Sequence, residues 1–136
     1  APWPHVDYMS LEVSEFNSRT RPRIVDGQLS MDVQIEVIVS LVGIGGVVNV
    51  LENEDMIEDL AAQEIERQIY ACIAKAQQLN SDILGWGQKV QRYEPEFWET
   101  LEPDWYDVYP HIEAQVNVQA NLRGQYLLVN PLSNRR

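Results

Sequence analysis

One cysteine, two histidines and two phenylalanines are all that this chain of 136 residues has of these types, and its 10 basic side chains face 21 acidic ones. A lone thiol, Cys72, excludes an internal disulfide and a zinc site built from several cysteines. It falls on the apolar stripe of a predicted helix, where a buried, inert thiol is expected. The formal net charge of −11 opposes close approach to nucleic-acid phosphates or to a bare anionic membrane. No run approaches the ~20 consecutive apolar residues needed to span a bilayer, and no basic segment precedes a hydrophobic stretch at the start. The two histidines, His5 and His111, sit at predicted strand starts with no serine or cysteine nucleophile motif nearby, so they read as satisfied or solvated imidazoles. An initiator methionine is also lacking: the chain opens Ala1-Pro2-Trp3-Pro4, as expected of a piece cut from a longer polypeptide.

What is present suits a folded domain. With 45% hydrophobic and 23% charged residues the composition is ordinary for a globular protein. A chain of this size buries roughly 70% of its unfolded surface, enough for a core. Residues 1–136 are expected to form a single domain, with 1–4 and 131–136 flexible.

Period-two alternation marks the strands. From His5 to Val13, Met9, Leu11 and Val13 share one face and Tyr8, Ser10 and Glu12 the other. Asp26-Gly27, flanked by apolar residues, is a tight-turn signal because both positions tolerate positive φ. From Gln28 to Leu41 the odd-numbered residues are all apolar, giving one core face and one mostly wet face. That strand is expected to end near Gly43-Ile44-Gly45-Gly46. This segment lacks the Gly-Lys-Ser/Thr ending of a phosphate loop and does not complete a dinucleotide fingerprint. A last alternating run, His111 to Leu122, directs Ile112, Ala114, Val116, Val118, Ala120 and Leu122 inward and suits a strand flanked on both sides. Gln125 to Val129 is expected to add a short strand.

Between these strands lies helical patterning. Asn53-Glu54-Asp55 opens a helix, Asp55 and Glu58 have capping-box spacing, and Ile57, Leu60, Ala61, Ile65, Ile69, Cys72, Ile73, Ala76 and Leu79 form an apolar stripe through about Asn80. Ser81 or Asp82 caps a second helix beginning near Ile83, and Pro95 fits the first turn of a third that ends at Pro103. Three of the four tryptophans, Trp86, Trp98 and Trp105, follow the long helix directly. Gly85-Trp86-Gly87 reads as a packing contact between helices. Glu94, Glu96, Glu99, Glu102, Asp104 and Asp107 form the densest acidic patch; it could hold paired carboxylates or calcium ligands, and a solvated face is the expected reading.

The order of these motifs carries a resemblance. Gln77-Gln78 at the end of the long helix, then Asp82-Ile83-Leu84-Gly85-Trp86-Gly87, then Pro95 and Trp98, then Trp105, Tyr109 and Pro110, and finally Arg123-Gly124 closing an alternating strand, together resemble the C-terminal domain of the GerAC-like, or Ger(x)C, spore germination lipoproteins. The family's own versions read Asp-Ile-Phe-Gly-Phe-Gly, Tyr-Pro-x-x-Trp and Trp-x-x-x-Phe-Pro. This chain departs at Leu84, Trp86 and Tyr109, and an extra Glu94 displaces Tyr93 from Pro95.

The resemblance implies a non-enzymatic subunit of a nutrient germinant receptor. It also implies a diacyl anchor at a cysteine far upstream, location on the outer face of the spore inner membrane, and two membrane-embedded partner subunits, one transporter-like. No catalytic residue, metal or cofactor is expected; the motif residues Asp82, Gly85, Trp86, Gly87, Pro95, Trp98, Trp105, Tyr109, Pro110 and Gly124 are expected to be structural or to mediate interaction. The competing functional class is a glycan-binding module in which Trp86, Trp98 and Trp105 stack on cell-wall sugars. The expected fold is α+β: a largely antiparallel sheet of about four strands, covered by one long amphipathic helix and shorter aromatic-rich helices.

Overall fold

The computed structural model describes residues 5–47 and 49–123, the side chain of Val47 excepted. Three strands, β1 (His5–Val25), β2 (Gln28–Val47) and β3 (Glu113–Leu122), form one sheet in the order β1-β2-β3. Between β2 and β3 run helices α1 (Glu54–Gln78), α2 (Trp86–Tyr93), α3 (Pro95–Leu101) and α4 (Trp105–Val108), with 3-10 turns at Glu102–Asp104 and Tyr109–His111. The fold is mixed α+β.

Asp26 and Gly27 adopt φ of 53° and 76°, the mirror-image turn whose twist matches antiparallel strands, so β1 and β2 form the expected hairpin. β1 is longer than its alternation indicated: the polar, basic stretch Asn17 to Pro22 continues the strand instead of interrupting it. The pairing of β3 differs from expectation. Glu113, Ala114 and Gln115 border one recess with Ser30 and Asp32, whereas Asn121 borders another with Val37 and Ile38, and the Arg123 N–H donates to the Val39 carbonyl at 2.7 Å. Numbers rise together along both strands, so β3 is parallel to β2, which requires the long helical crossover between them. The sheet is therefore mixed, with three strands rather than four among the described residues. Among the described residues β3 lies at an edge, not flanked on both sides. The strand expected at Gln125 to Val129 lies outside the described residues.

β2 also passes through its glycines to Val47 instead of stopping at them. They admit neighbours. A methyl group at Gly45 would overlap the Tyr8 ring, and Gly46, at φ 131°, lies against the backbone of His5 to Asp7.

Two compact units divide the chain. The first takes residues 5–17, 35–65 and 118–123, and its core gathers Leu41, Ile44, Val50 and Ile57, with Val6, Met9, Leu11 and Leu122 packed on them. The Glu58 carboxylate does not close a capping box; its Oε2 accepts the Leu122 N–H at 2.7 Å, serving the outer edge of β3.

The second unit takes residues 18–34 and 66–117, and buries Leu29, Met31, Val33, Ile73, Ala76, Trp86, Val90, Trp105, Tyr109, Ile112 and Val116. The Tyr70 hydroxyl, from α1, accepts the Val116 N–H at 3.0 Å.

Along α1 the expected stripe is incomplete: Ile57, Ala61, Ile73 and Ala76 are buried, but Leu60, Cys72 and Leu79 are exposed. The Cys72 thiol is therefore exposed and not buried as its spacing implied. The helix is longer than its covered face, so a residue can keep the right spacing and still meet solvent.

Candidate functional site

The motif-rich segment of the second unit builds one module from the end of α1 to the start of β3. Just past α1, Asn80 turns the chain with a positive φ of 51° and lets the Ser81 N–H reach the Ala76 carbonyl at 2.9 Å. Asp82 then caps α2 from four residues ahead of its first residue. Its Oδ1 accepts the Trp86 N–H at 2.8 Å and its Oδ2 the Gly87 N–H at 2.9 Å, satisfying two donors at the positive end of the helix. The helix thus begins at Trp86 rather than near Ile83. Gly85 is left-handed at φ 72°, a conformation that disfavours any side chain.

Gly87 is small for a second reason. A Cβ there would sit 3.1 Å from Asp82 Oδ2, 3.2 Å from the Trp98 ring and 3.4 Å from the Trp105 ring. Its absence lets α2 press against both indoles. The Trp98 and Trp105 centroids are 5.2 Å apart at 66°, Trp105 and Tyr109 are 5.7 Å apart at 41°, and Trp86 meets Tyr109 edge-on at 5.7 Å. Edge-to-face pairs at these spacings add to the free energy of burial. The Tyr109 hydroxyl donates to the Ser81 carbonyl at 2.7 Å, and burial, aided by the negative charge of Asp82, raises its pKa above 10.0.

Polar side chains close the module. The Gln77 Nε2 donates to the carbonyls of Tyr109 and Ile112 at 2.9 and 2.7 Å, and Asn80 Nδ2 donates to the Tyr106 carbonyl at 2.9 Å. The glutamine-rich helix end gave no residue-level sign of this: Gln77 reads from spacing as a solvated polar position. Pro95 opens α3, and Pro110 sits inside the turn before β3. Asp82, Trp86, Gly87, Trp98, Trp105 and Tyr109 are thus brought into contact; Gly85, Pro95 and Pro110 shape the backbone around them; Gly124 lies outside the described residues.

This arrangement packs; it does not present a cleft for chemistry. Trp86 is 2% exposed and Trp105 5%, and the indole nitrogen of Trp98 is buried without a hydrogen-bond partner. Trp86 and Trp105, so covered, offer no open face for a sugar to stack on, whereas Trp98 is half-buried. The six carboxylates from Glu94 to Asp107 are exposed, and among the described residues no group of three or more His, Cys, Asp or Glu side chains is arranged to hold a metal ion. His5 lies 3.4 Å from Asp7 on the surface, and His111 is exposed in the turn before β3.

The fold has a counterpart. The crystal structure of the GerBC protein superposes with a TM-score of 0.73 over 88% of this chain and 39% of that one, at 13% identity, a likeness of fold. Spore germination protein KC of Bacillus subtilis (strain 168) is 24% identical over 138 residues, covering 94% of this chain and 32% of that protein. The chain therefore spans about a third of the length of these relatives. The family model described as spore germination B3/GerAC like, C-terminal, matches residues 2–126, from the first strand through all the motifs above. This chain belongs to that spore germination family.

Proposed function

We propose that this chain is the C-terminal domain of a germinant receptor lipoprotein subunit, acting in nutrient-triggered spore germination by contact with membrane-embedded receptor subunits, one of them transporter-like, and not by catalysis. The observation that carries the reading is the family match over residues 2–126 on a chain whose most motif-dense segment is filled by its own side chains. An enzyme concentrates its sequence signature around an open, polar pocket with perturbed titratable groups. Here the signature residues close on one another, as suits a rigid body presented to partners.

In this reading Asp82, Gly85, Trp86, Gly87, Pro95, Trp98, Trp105, Tyr109 and Pro110 hold the shape of the domain. No helix among the described residues is long and apolar enough to cross a membrane. Attachment to the outer face of the spore inner membrane then rests on a lipid anchor upstream of this domain.

Intact mass of the native product, extracted from spore membranes with an antibody raised against this domain, tests the proposal. A much longer, diacylated species that co-purifies with membrane subunits is expected. An unlipidated product near 15.7 kDa would overturn it.

A further inference from the structure

The sheet of the first unit has a second face, turned away from its core. Alternate residues of β2 from Ile35 to Leu41 are buried on one side, so Glu36, Ile38 and Ser40 belong to the other. Between Tyr8 and Phe16, β1 shares that second face through its even-numbered residues. Ser14 Oγ donates to the Ile38 carbonyl at 3.0 Å, Phe16 borders a recess of about 530 Å³ with Glu36 and Ile38, and Ser10 and Tyr8 lie against Gly43. Two aromatic rings therefore stand on this face, and both are open to solvent: Tyr8 is 60% exposed and Phe16 56%. Tyr8 is laid against the sheet because Gly45 leaves room beneath it. Scattered exposed apolar residues are normal on any surface, but two rings held on one sheet face make a pattern.

Spacing and charge narrow the occupant. Eight residues of strand separate the rings, about 27 Å at ~3.4 Å per residue, comparable to the span of a protein interface burying ~800 Å² per partner. Exposed Glu12, Glu15 and Glu36 lie along and beside the rings, while Arg123, whose Nε donates to Ser14 Oγ at 3.2 Å, is a cation at the rim. A neutral sugar offers these carboxylates no counter-charge. A second copy of this chain, at −11, would bring glutamate against glutamate.

We propose that this face, anchored by Tyr8 and Phe16, is the surface through which the domain docks a receptor partner, and that the docking segment of that partner is a protein surface with apolar pockets for the two rings and a rim of lysine and arginine. Buried aromatic anchors with a charged rim are the arrangement that concentrates binding energy in few residues. The inference rests on the receptor reading above, and its test separates the two.

Benzophenone-bearing residues are placed singly at positions 8 and 16 of the full-length protein in spore membranes, with position 63 on α1 as control, and irradiated. The expected result is adducts from 8 and 16, not 63, to a receptor membrane subunit, mapping to a peptide containing lysine or arginine. Adducts to a receptor subunit from 63 alone would overturn the surface and leave the receptor reading standing. Absence of receptor subunits both from every adduct and from the co-purified material would overturn both. Phe16→Lys is expected to lower co-purification of the partner roughly tenfold or more with an unchanged melting curve, and Phe16→Tyr to retain it. Saturable chemical-shift changes at Phe16 on adding N-acetylglucosamine oligomers to the purified domain, with co-purification unaffected by Phe16→Lys, would assign the face to glycan instead and overturn the proposal.

Discussion

The second unit packs its rings and the first displays them. Trp86, Trp105 and Tyr109 carry family motifs and are buried against one another, whereas Tyr8 and Phe16 belong to no motif and stand open on a sheet face. Motif density and the display of aromatic rings are therefore different properties of this chain. A residue is pinned by its neighbours when many constraints meet at one point, as at Gly87, where a carboxylate and two indoles converge within 3.4 Å of where a side chain would start. An exposed ring on a strand answers only to what it meets outside the molecule.

The contrast predicts a steep gradient of substitution effects. Trp105→Ala empties the centre of the aromatic module and is expected to destabilise the domain by about 3–5 kcal/mol, read by urea unfolding; a loss below ~1 kcal/mol would mean the module is not core. Next comes Asp82→Ala. It frees the N–H groups of Trp86 and Gly87, and a lost charged cap in a half-buried setting costs about 2 kcal/mol. Asp82→Asn is expected to recover part of that, because one amide oxygen can still accept. Gly85→Ala, at φ 72°, follows at about 1 kcal/mol, since the strain lies only in the backbone and a Cβ there meets nothing closer than 3.9 Å.

How much of this was legible follows the same division. The alternation of β2 and β3, the Asp26-Gly27 turn and the glycine contact at Gly87 are local or periodic signals, and the structure has them. The pairing of β3 was not legible, because alternation states which side chains share a face but not which strand lies alongside or in which direction. The exposure of Leu60, Cys72 and Leu79 escaped for a related reason: helical spacing defines a stripe, while tertiary packing decides how much of the stripe is covered. The long-range polar bonds of Glu58, Tyr70 and Gln77 have no sequence signal beyond residue type, since their partners lie 32 to 64 positions away. Of the candidate surface, Tyr8 could be placed on the wet face by alternation, but Phe16 lies beyond the segment where that pattern was clear.

Alkaline pH offers a probe of the packed side alone. The Tyr109 hydroxyl has its pKa raised by burial and by Asp82, so the folded state holds that proton more tightly than the unfolded one. The stability this contributes is complete below pH 10.0 and is lost as pH rises through the folded value, so the unfolding free energy should fall in that window. Tyr109→Phe is expected to start less stable, by the lost bond to Ser81, and to show a shallower decline above pH 10.0. An identical slope in the variant would assign the alkaline loss to other groups.

The smallest effect is expected on the displayed side. Phe16→Ser removes a ring already more than half in water, and such surface changes stay within about 0.5 kcal/mol. Tyr8→Ser is expected to cost slightly more, because Gly45 beneath it would lose the cover that the ring gives the strand. Differential melting of the two variants beside Trp105→Ala measures the gradient directly. If Phe16→Ser destabilised as much as Trp105→Ala, the ring would be working for the fold, and the open face would have to be read as part of the core. If it melted like the parent chain, the ring would be free of any duty to the fold, and a role for it would have to be sought in what binds there.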